Sequence, residues 1–209
     1  MCPSRRADNT LVFKEIFWGP SMGGKTCALA WVYEKEGLAS GKLQSITDPT
    51  GRTLFFDRVV AKISGVIFQT YTVAGQRLHK YQRKTVLKGA DSIIFVWDSS
   101  ADQWEENLYS LKELLRFYGP KLIPGSDGNA EVPLVVMANK RDLPNPIPVD
   151  KIREVLNAAK LANVLIYETI AITGVNVKRA FVFAAREAVL RHYMRLQAGN
   201  TKVPAEGQS

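Results

Sequence analysis

A chain of 209 residues, 46% hydrophobic and 23% charged, has material for one cored domain and is short for two. Its longest apolar runs, such as Ser92–Trp97 and Val132–Ala138, fall far short of a bilayer span; no signal-peptide core follows Arg5, Arg6 and Asp8, and Cys2 and Cys27 make no disulfide framework. The net charge of +8 gathers in Arg77, Lys80, Arg83, Lys84 and Lys88 and in Lys178, Arg179, Arg186, Arg191 and Arg195, a spacing read as solvated helix faces, with attraction to an acidic partner or lipid surface as the alternative.

Met1 to Thr10 is polar and expected to be a loose tail. Leu11–Trp18 is apolar and of strand length, and Gly19-Pro20-Ser21-Met22-Gly23-Gly24-Lys25-Thr26 follows it with the pattern G-x-x-x-x-G-K-[ST]. A helix running to about Lys35 comes next, starting with Cys27, which is read as a small buried residue. In such a loop the glycines turn backbone N–H groups inward around oxyanions, and the helix N-terminus adds its positive end. Lys25 then reaches the β- and γ-phosphates of a nucleotide, and the Thr26 hydroxyl ligates Mg²⁺.

Glu36 to Arg52 contains Gly37, Gly41, Pro49 and Gly51 and reads as a long connection closed by Arg52-Thr53. Thr53–Val60 and Val66–Val73, joined across Ala61–Gly65, suit an antiparallel hairpin. Its second strand ends in Thr72-Val73-Ala74-Gly75-Gln76, where Gly75 can donate its N–H to a γ-phosphate and Gln76 can orient an attacking water. Lys80 to Lys88 predicts a short basic helix, and Asp91–Asp98 a fully buried strand, apolar without alternation. The next helix aligns Trp104, Leu108, Leu111 and Leu115, and Gly119–Glu131 reads as a surface loop. Val132–Ala138 is a second buried strand, Asp150 the expected cap of a helix with an Ile152, Val155, Leu156 and Ala159 stripe, and Val164–Tyr167 the last strand. A final helix from about Asn176 turns Val177, Phe181, Ala184 and Ala188 inward, and the chain after Gln197 is expected to fray. Alternating strands and helices predict a mostly parallel sheet covered on both faces, with the ligand at the carboxyl ends of its strands.

Asn139-Lys140-Arg141-Asp142, directly after a buried strand, decides the base. The Asp142 carboxylate accepts two N–H bonds from guanine N1 and its exocyclic amine, a pair that adenine does not offer. Glu168-Thr169-Ile170-Ala171, after the last strand, can supply a backbone N–H to the guanine carbonyl. His79 and His192 stand far apart without a carboxylate cluster and are read as solvated or helix-end residues. Trp18, Trp31, Trp97 and Trp104 are read as packing residues.

On these stretches, and on Arg52-Thr53-Leu54-Phe55-Phe56-Asp57 and Asn139-Lys140-Arg141-Asp142-Leu143-Pro144 in particular, the chain resembles the Ras-like small GTPases, most of all the bacterial MglA group of polarity and gliding-motility proteins. The resemblance implies a single α/β domain over residues 11–197, with flexible tails at 1–10 and 198–209. Its fold would be the Ras-like P-loop NTPase G domain: a mostly parallel six-stranded sheet, one antiparallel edge hairpin, and helices on both faces. GTP or GDP would be bound with Mg²⁺ held by Thr26 and Thr53. Hydrolysis would use Lys25, Gln76 as the catalytic glutamine and Arg52 as an arginine finger carried in cis. The nucleotide contacts would come from Gly19, Ser21, Met22, Gly23, Gly24, Lys25, Thr26, Cys27, Thr53, Gly75, Asn139, Lys140, Asp142, Thr169, Ile170 and Ala171. A roadblock-fold activating protein of the MglB type would be the partner of a chain that is otherwise a cytoplasmic monomer without a membrane anchor or nucleic-acid role.

Two departures bear on rate. Thr72 stands where most Ras-like proteins have the aspartate that steadies Mg²⁺, and Ser21 places a side chain near the space that Gln76 needs. Slow unaided hydrolysis is the expectation, with a nucleotide-locked binding module as the alternative and an ATPase excluded by Asp142. Asp98 is read as a hydrogen-bond partner of the phosphate loop from below, in preference to a replacement metal ligand.

Overall fold

The computed structural model describes residues 4–5, 10–35, 58–63, 65–73, 80–161 and 163–200. Its strands are β1 Ser4–Arg5, β2 Leu11–Trp18, β3 Arg58–Ile63, β4 Val66–Thr72, β5 Ser92–Asp98, β6 Leu134–Asn139 and β7 Leu165–Glu168. Its helices are α1 Lys25–Glu34, α2 Lys80–Leu87, α3 Trp104–Leu122, α4 Val149–Ala158 and α5 Val177–Asn200. The sheet order is β3-β4-β2-β5-β6-β7, parallel throughout apart from the antiparallel β3–β4 edge pair, with β1 paired to β2 in addition.

The period of two along each strand sorts the core into two layers. On β2 and β5, Phe13, Phe17, Ile94 and Val96 pack with Leu29 and Val32 of α1 and Phe181 and Ala184 of α5. Ile16, Trp18, Ile93, Phe95 and Trp97 point the other way, toward Leu111 and Leu114 of α3 and Ile152 and Leu156 of α4. Every residue of β5 and β6 is buried, which is why both read as unbroken apolar runs. The two layers fix the strand ends, and all four central strands deliver their carboxyl ends to one rim.

Several expectations are corrected. Ser4–Arg5 is not part of a loose tail: it pairs antiparallel with Leu11 and Val12, where β5 has not yet begun and the ladder groups of β2 would otherwise lack a partner. The strand β3 continues through Ala61–Ile63 where a turn was expected, and α5 runs past Gln197 to Asn200. The helix α3 runs through Gly119 and Pro120, because burial of Tyr118 and Leu122 outweighs the missing proline N–H, and Ile123 N–H closes the last turn onto Gly119 O at 3.0 Å. Pro148, not Asp150, precedes α4, and Asp150 lies in the first turn, where its charge suits the helix dipole. His192 is buried against the edge of Phe13 rather than solvated.

Arg83 also departs from the solvated basic face expected of α2. Its guanidinium lies 4.4 Å from the ring centroid of Trp18 and pairs with Glu113 of α3 at 2.6 Å, with the arginine only 1% exposed. Trp18 in turn donates its indole N–H to Ser110 O at 2.9 Å. A charged pair is stable there because cation–π contact and hydrogen bonds replace the lost water. The result fastens α2 to α3 and to the residue that precedes the phosphate loop.

Under the other face of the sheet, Glu15 of β2 is fully buried between Thr70 and Ser92 on the neighbouring strands, and Ser92 Oγ donates to its Oε1 at 3.2 Å. Burial pushes this carboxyl up to about 8, against smaller opposing effects of the Ser92 and Thr70 hydroxyls. The native state therefore holds a proton there that the unfolded chain releases at its ordinary pKa. Stability from this group is complete below the unfolded value and is lost as pH rises from there through about 8, at up to about 1.4 kcal/mol per pH unit. Glu15→Gln is expected to flatten that decline in urea unfolding followed from pH 5 to 9. An unchanged slope would mean that another group carries it.

Candidate functional site

The phosphate loop joins β2 to α1 at the rim where β2, β4, β5 and β6 end. Met22 takes φ 58° and lies exposed at its tip, and Gly24 takes φ 98° immediately before α1. Gly24 admits no side chain: a Cβ there would stand 2.2 Å from Asn139 Nδ2. Lys25 is buried, and its ammonium donates to Gly19 O at 3.1 Å and Pro20 O at 2.5 Å, so the charge is held inside the ring of the loop. Thr26 and Cys27 follow, both half-buried; burial raises the Cys27 thiol above its usual range, and the side chain packs against the core while also bordering the cavity.

Asn139, at the end of β6, ties the rim together. Its Nδ2 donates to Gly23 O at 2.9 Å, while its Oδ1 accepts from Ala171 N–H at 2.9 Å and from Thr169 Oγ at 3.2 Å. One buried amide thus joins the phosphate loop to the segment after β7. Lys140 adopts φ 63° and reaches Asp98 Oδ2 at 2.6 Å, and Leu143 N–H closes a turn onto Lys140 O at 3.2 Å, leaving Asp142 exposed at the tip. Arg141 points away from that tip, pairing with Glu168 at 2.8 Å and donating to Ile147 O at 2.6 Å. The turn is pinned on both sides.

Asp98 is corrected here. Its carboxylate accepts from Ser100 N–H at 3.0 Å and Ser100 Oγ at 2.6 Å and pairs with Lys140, so it steadies the Asn139–Asp142 segment rather than the phosphate loop. A lysine four bonds long and otherwise mobile gains a fixed direction from that pair.

Between these elements lies a cavity of about 440 Å³. Ser21, Met22, Gly24, Lys25, Thr26, Cys27, Asn139, Lys140, Asp142 and Ala171 all line it. Gly19 and Gly23 belong to the loop behind its surface. Thr169 and Ile170 do not reach it: their N–H groups bond Ala138 O at 2.8 Å and Val175 O at 3.2 Å. Val73, Leu143 and Ile172 line it too, three apolar walls without a motif of their own. Arg52, Thr53, Gly75 and Gln76 lie outside the described residues, as do Arg77 and His79.

For a divalent cation the donor set is thin. Among the described residues no group of three or more His, Cys, Asp or Glu could hold a metal, and Thr72 ends β4, fully buried, with a hydroxyl where a carboxylate would be needed. The Thr26 hydroxyl at the cavity wall fits a hard ion that keeps most of its water and takes its charge from phosphate oxygens.

A model of the ADP-ribosylation factor family matches residues 13–187. The chain belongs to this family of small GTPases. Within the wider Ras-like group the GTPase stands with MglA: it is 38% identical over 170 residues, 78% of this chain and 84% of the relative, to the mutual gliding-motility protein MglA of Myxococcus xanthus. It is also 28% identical over 180 residues to the Ras-related protein Rab-7a of Dictyostelium discoideum, covering 86% of this chain and 83% of that one. The fold matches the Arl6 (BBS3) small GTPase of Trypanosoma brucei, solved with the nucleotide analogue GppNp, at TM-score 0.67 and 20% identity, over 86% of this chain and 99% of that one. The chain is accordingly a GTP-binding switch of the Ras-like kind and a GTP hydrolase, of the MglA group. Among its described residues no helix is long and apolar enough to cross a membrane.

Proposed function

We propose that the GTPase hydrolyses GTP slowly by itself, is accelerated by a roadblock-fold partner of the MglB type, and uses its two nucleotide states to control cell polarity or motility as a cytoplasmic monomer. The observation that carries the nucleotide reading is the cavity of about 440 Å³ closed by Asn139, which holds Lys25 and Thr26 at one end and Asp142 and Ala171 at the other. Phosphates would lie against Lys25 and the loop N–H groups, with charge spread further by Mg²⁺ on Thr26 and Thr53. The base would lie between Lys140, Leu143 and Ile172, with its N1–H and amine on Asp142; the Ala171 N–H already donates to Asn139 Oδ1, so it would meet the guanine carbonyl only as a shared, second bond. Gly75 would donate to the γ-phosphate, Gln76 would align the water, and Arg52 would neutralise charge on the transferred group.

Base choice tests this assignment. Asp142→Asn replaces an acceptor pair by an amide that donates, so GTP affinity is expected to fall about a hundredfold or more while xanthosine triphosphate, with a carbonyl in place of the amine, gains. Competition against a fluorescent guanine nucleotide measures both. Equal binding of ATP and GTP by the unaltered protein would remove Asp142 from the role.

A further inference from the structure

The segment after β7 folds back as a closed turn. Ile170 N–H donates to Val175 O at 3.2 Å and Gly174 N–H to Ile170 O at 2.8 Å, which leaves Ala171 and Ile172 projecting into the cavity. Gly174 takes φ 78°, and a Cβ on it would stand 1.8 Å from Cε2 and 1.9 Å from Nε1 of Trp31. The indole edge of α1 therefore occupies the space that any other residue at 174 would fill. Trp31 lies one helical turn beyond Cys27, which borders the cavity, and packs half-buried against the core layer shared by α1 and α5. On the far side of the turn, Asn176 donates its amide to Glu168 O at 2.8 Å. The turn is gripped from outside by an aromatic edge and from inside by Asn139.

We propose that Trp31 and Gly174 form a latch that sets the rate of guanine-nucleotide release, by clasping the base-side turn 170–175 to the helix that begins in the phosphate loop. The inference rests on the base-side assignment above and deepens it. A nucleotide leaving the cavity must part the base-side turn from the phosphate side, which Asn139 joins through Gly23 O on one side and Ala171 N–H and Thr169 Oγ on the other. The indole edge in the glycine notch is a packed contact that water cannot replace, so its separation adds to the barrier. Trp31 acts through the turn and touches no reacting atom; it is a positioning residue.

Release of a fluorescent GDP, chased with excess unlabelled GDP, tests the latch in the full chain. Gly174→Ala should speed release about tenfold, and Trp31→Ala should speed it similarly, each consistent with a contact coupling of ordinary size. The Gly174→Ala, Trp31→Ala double variant should exceed Trp31→Ala only by the strain of an alanine at φ 78°, and so fall well short of the product of the two single effects, since the clash with the indole is gone. The preference for GDP over ADP should fall with the release rate, because the turn presents Ala171 to the base; a residue that served only packing would leave that preference unchanged. Should Gly174→Ala not fold, Trp31→Ala and Trp31→Phe carry the same comparison. Parent-like release in Trp31→Ala, or strictly multiplicative acceleration in the double variant, overturns the latch. If Asp142→Asn has shifted base preference as expected, such a result leaves the base-side assignment standing. If Asp142→Asn has not, the assignment itself has failed first.

Discussion

Arg52→Ala is expected to leave GTP binding nearly intact and to lower partner-stimulated hydrolysis by about 10³–10⁵-fold, the contribution typical of an arginine finger. The ladder between β3 and β4 is the reason to expect Arg52 and Gln76 at one place. Arg58, the first residue of β3, pairs with Tyr71 near the end of β4, so the chain entering β3 and the chain leaving β4 do so at the same end of the hairpin. Arg52 precedes Arg58 by a few residues and Gln76 follows Tyr71 by a similar number, both outside the described residues. A partner that moved β3 along β4 would carry Arg52 and Thr53 together. Val59 and Ala61 are buried and a one-residue slip would turn both outward, so a two-residue slip is the cheaper displacement. Gln76→Leu should show the same loss through the water. Stimulation of Arg52→Ala as strong as that of the parent would place the finger on the partner instead.

Asn139→Ala should lower guanine-nucleotide affinity by about a hundredfold or more. The substitution strands the Gly23 carbonyl and the Ala171 N–H, and an unsatisfied buried polar group costs about 1–3 kcal/mol. It also opens the space beside Gly24 that now excludes a side chain. Both ends of the cavity loosen at once. Thr169→Val removes only the hydroxyl that donates to the same amide at 3.2 Å and should be much milder. Equilibrium titration with fluorescent GDP separates the two; binding by Asn139→Ala within about twofold of the parent would mean that other contacts hold the loops together.

The contrast between these residues shows which parts of the molecule could be read from sequence. Gly19–Thr26 was legible because its chemistry is local: glycines, a lysine and a threonine in one loop between a strand and a helix. Leu11–Trp18 and the runs ending at Asp98 and Asn139 were legible because double-sided burial leaves no polar alternation. Asn139 was recognisable as part of a motif, yet its bond to Gly23 spans 116 residues, and no spacing rule announces it. Arg83 looked like one more surface charge because its partner Glu113 and the Trp18 ring come from separate elements. Asp98 was assigned to the wrong loop for the same reason: strand order places it beside β6 and the Lys140 that follows, and strand order follows from packing. The Trp31–Gly174 contact joins two residues that each look ordinary alone. Gly119-Pro120 misled in the opposite sense, as a local breaker overruled by the burial of Tyr118 and Leu122.

Single-turnover hydrolysis decides whether the chain is a partner-stimulated GTPase: the purified chain, in excess over GTP or ATP, is followed first alone and then with the roadblock-fold partner added. Slow conversion of GTP to GDP by the chain alone, a large acceleration on addition of the partner, and no turnover of ATP are expected. GTP that stays intact under both conditions, or ATP consumed as readily as GTP, would contradict that expectation.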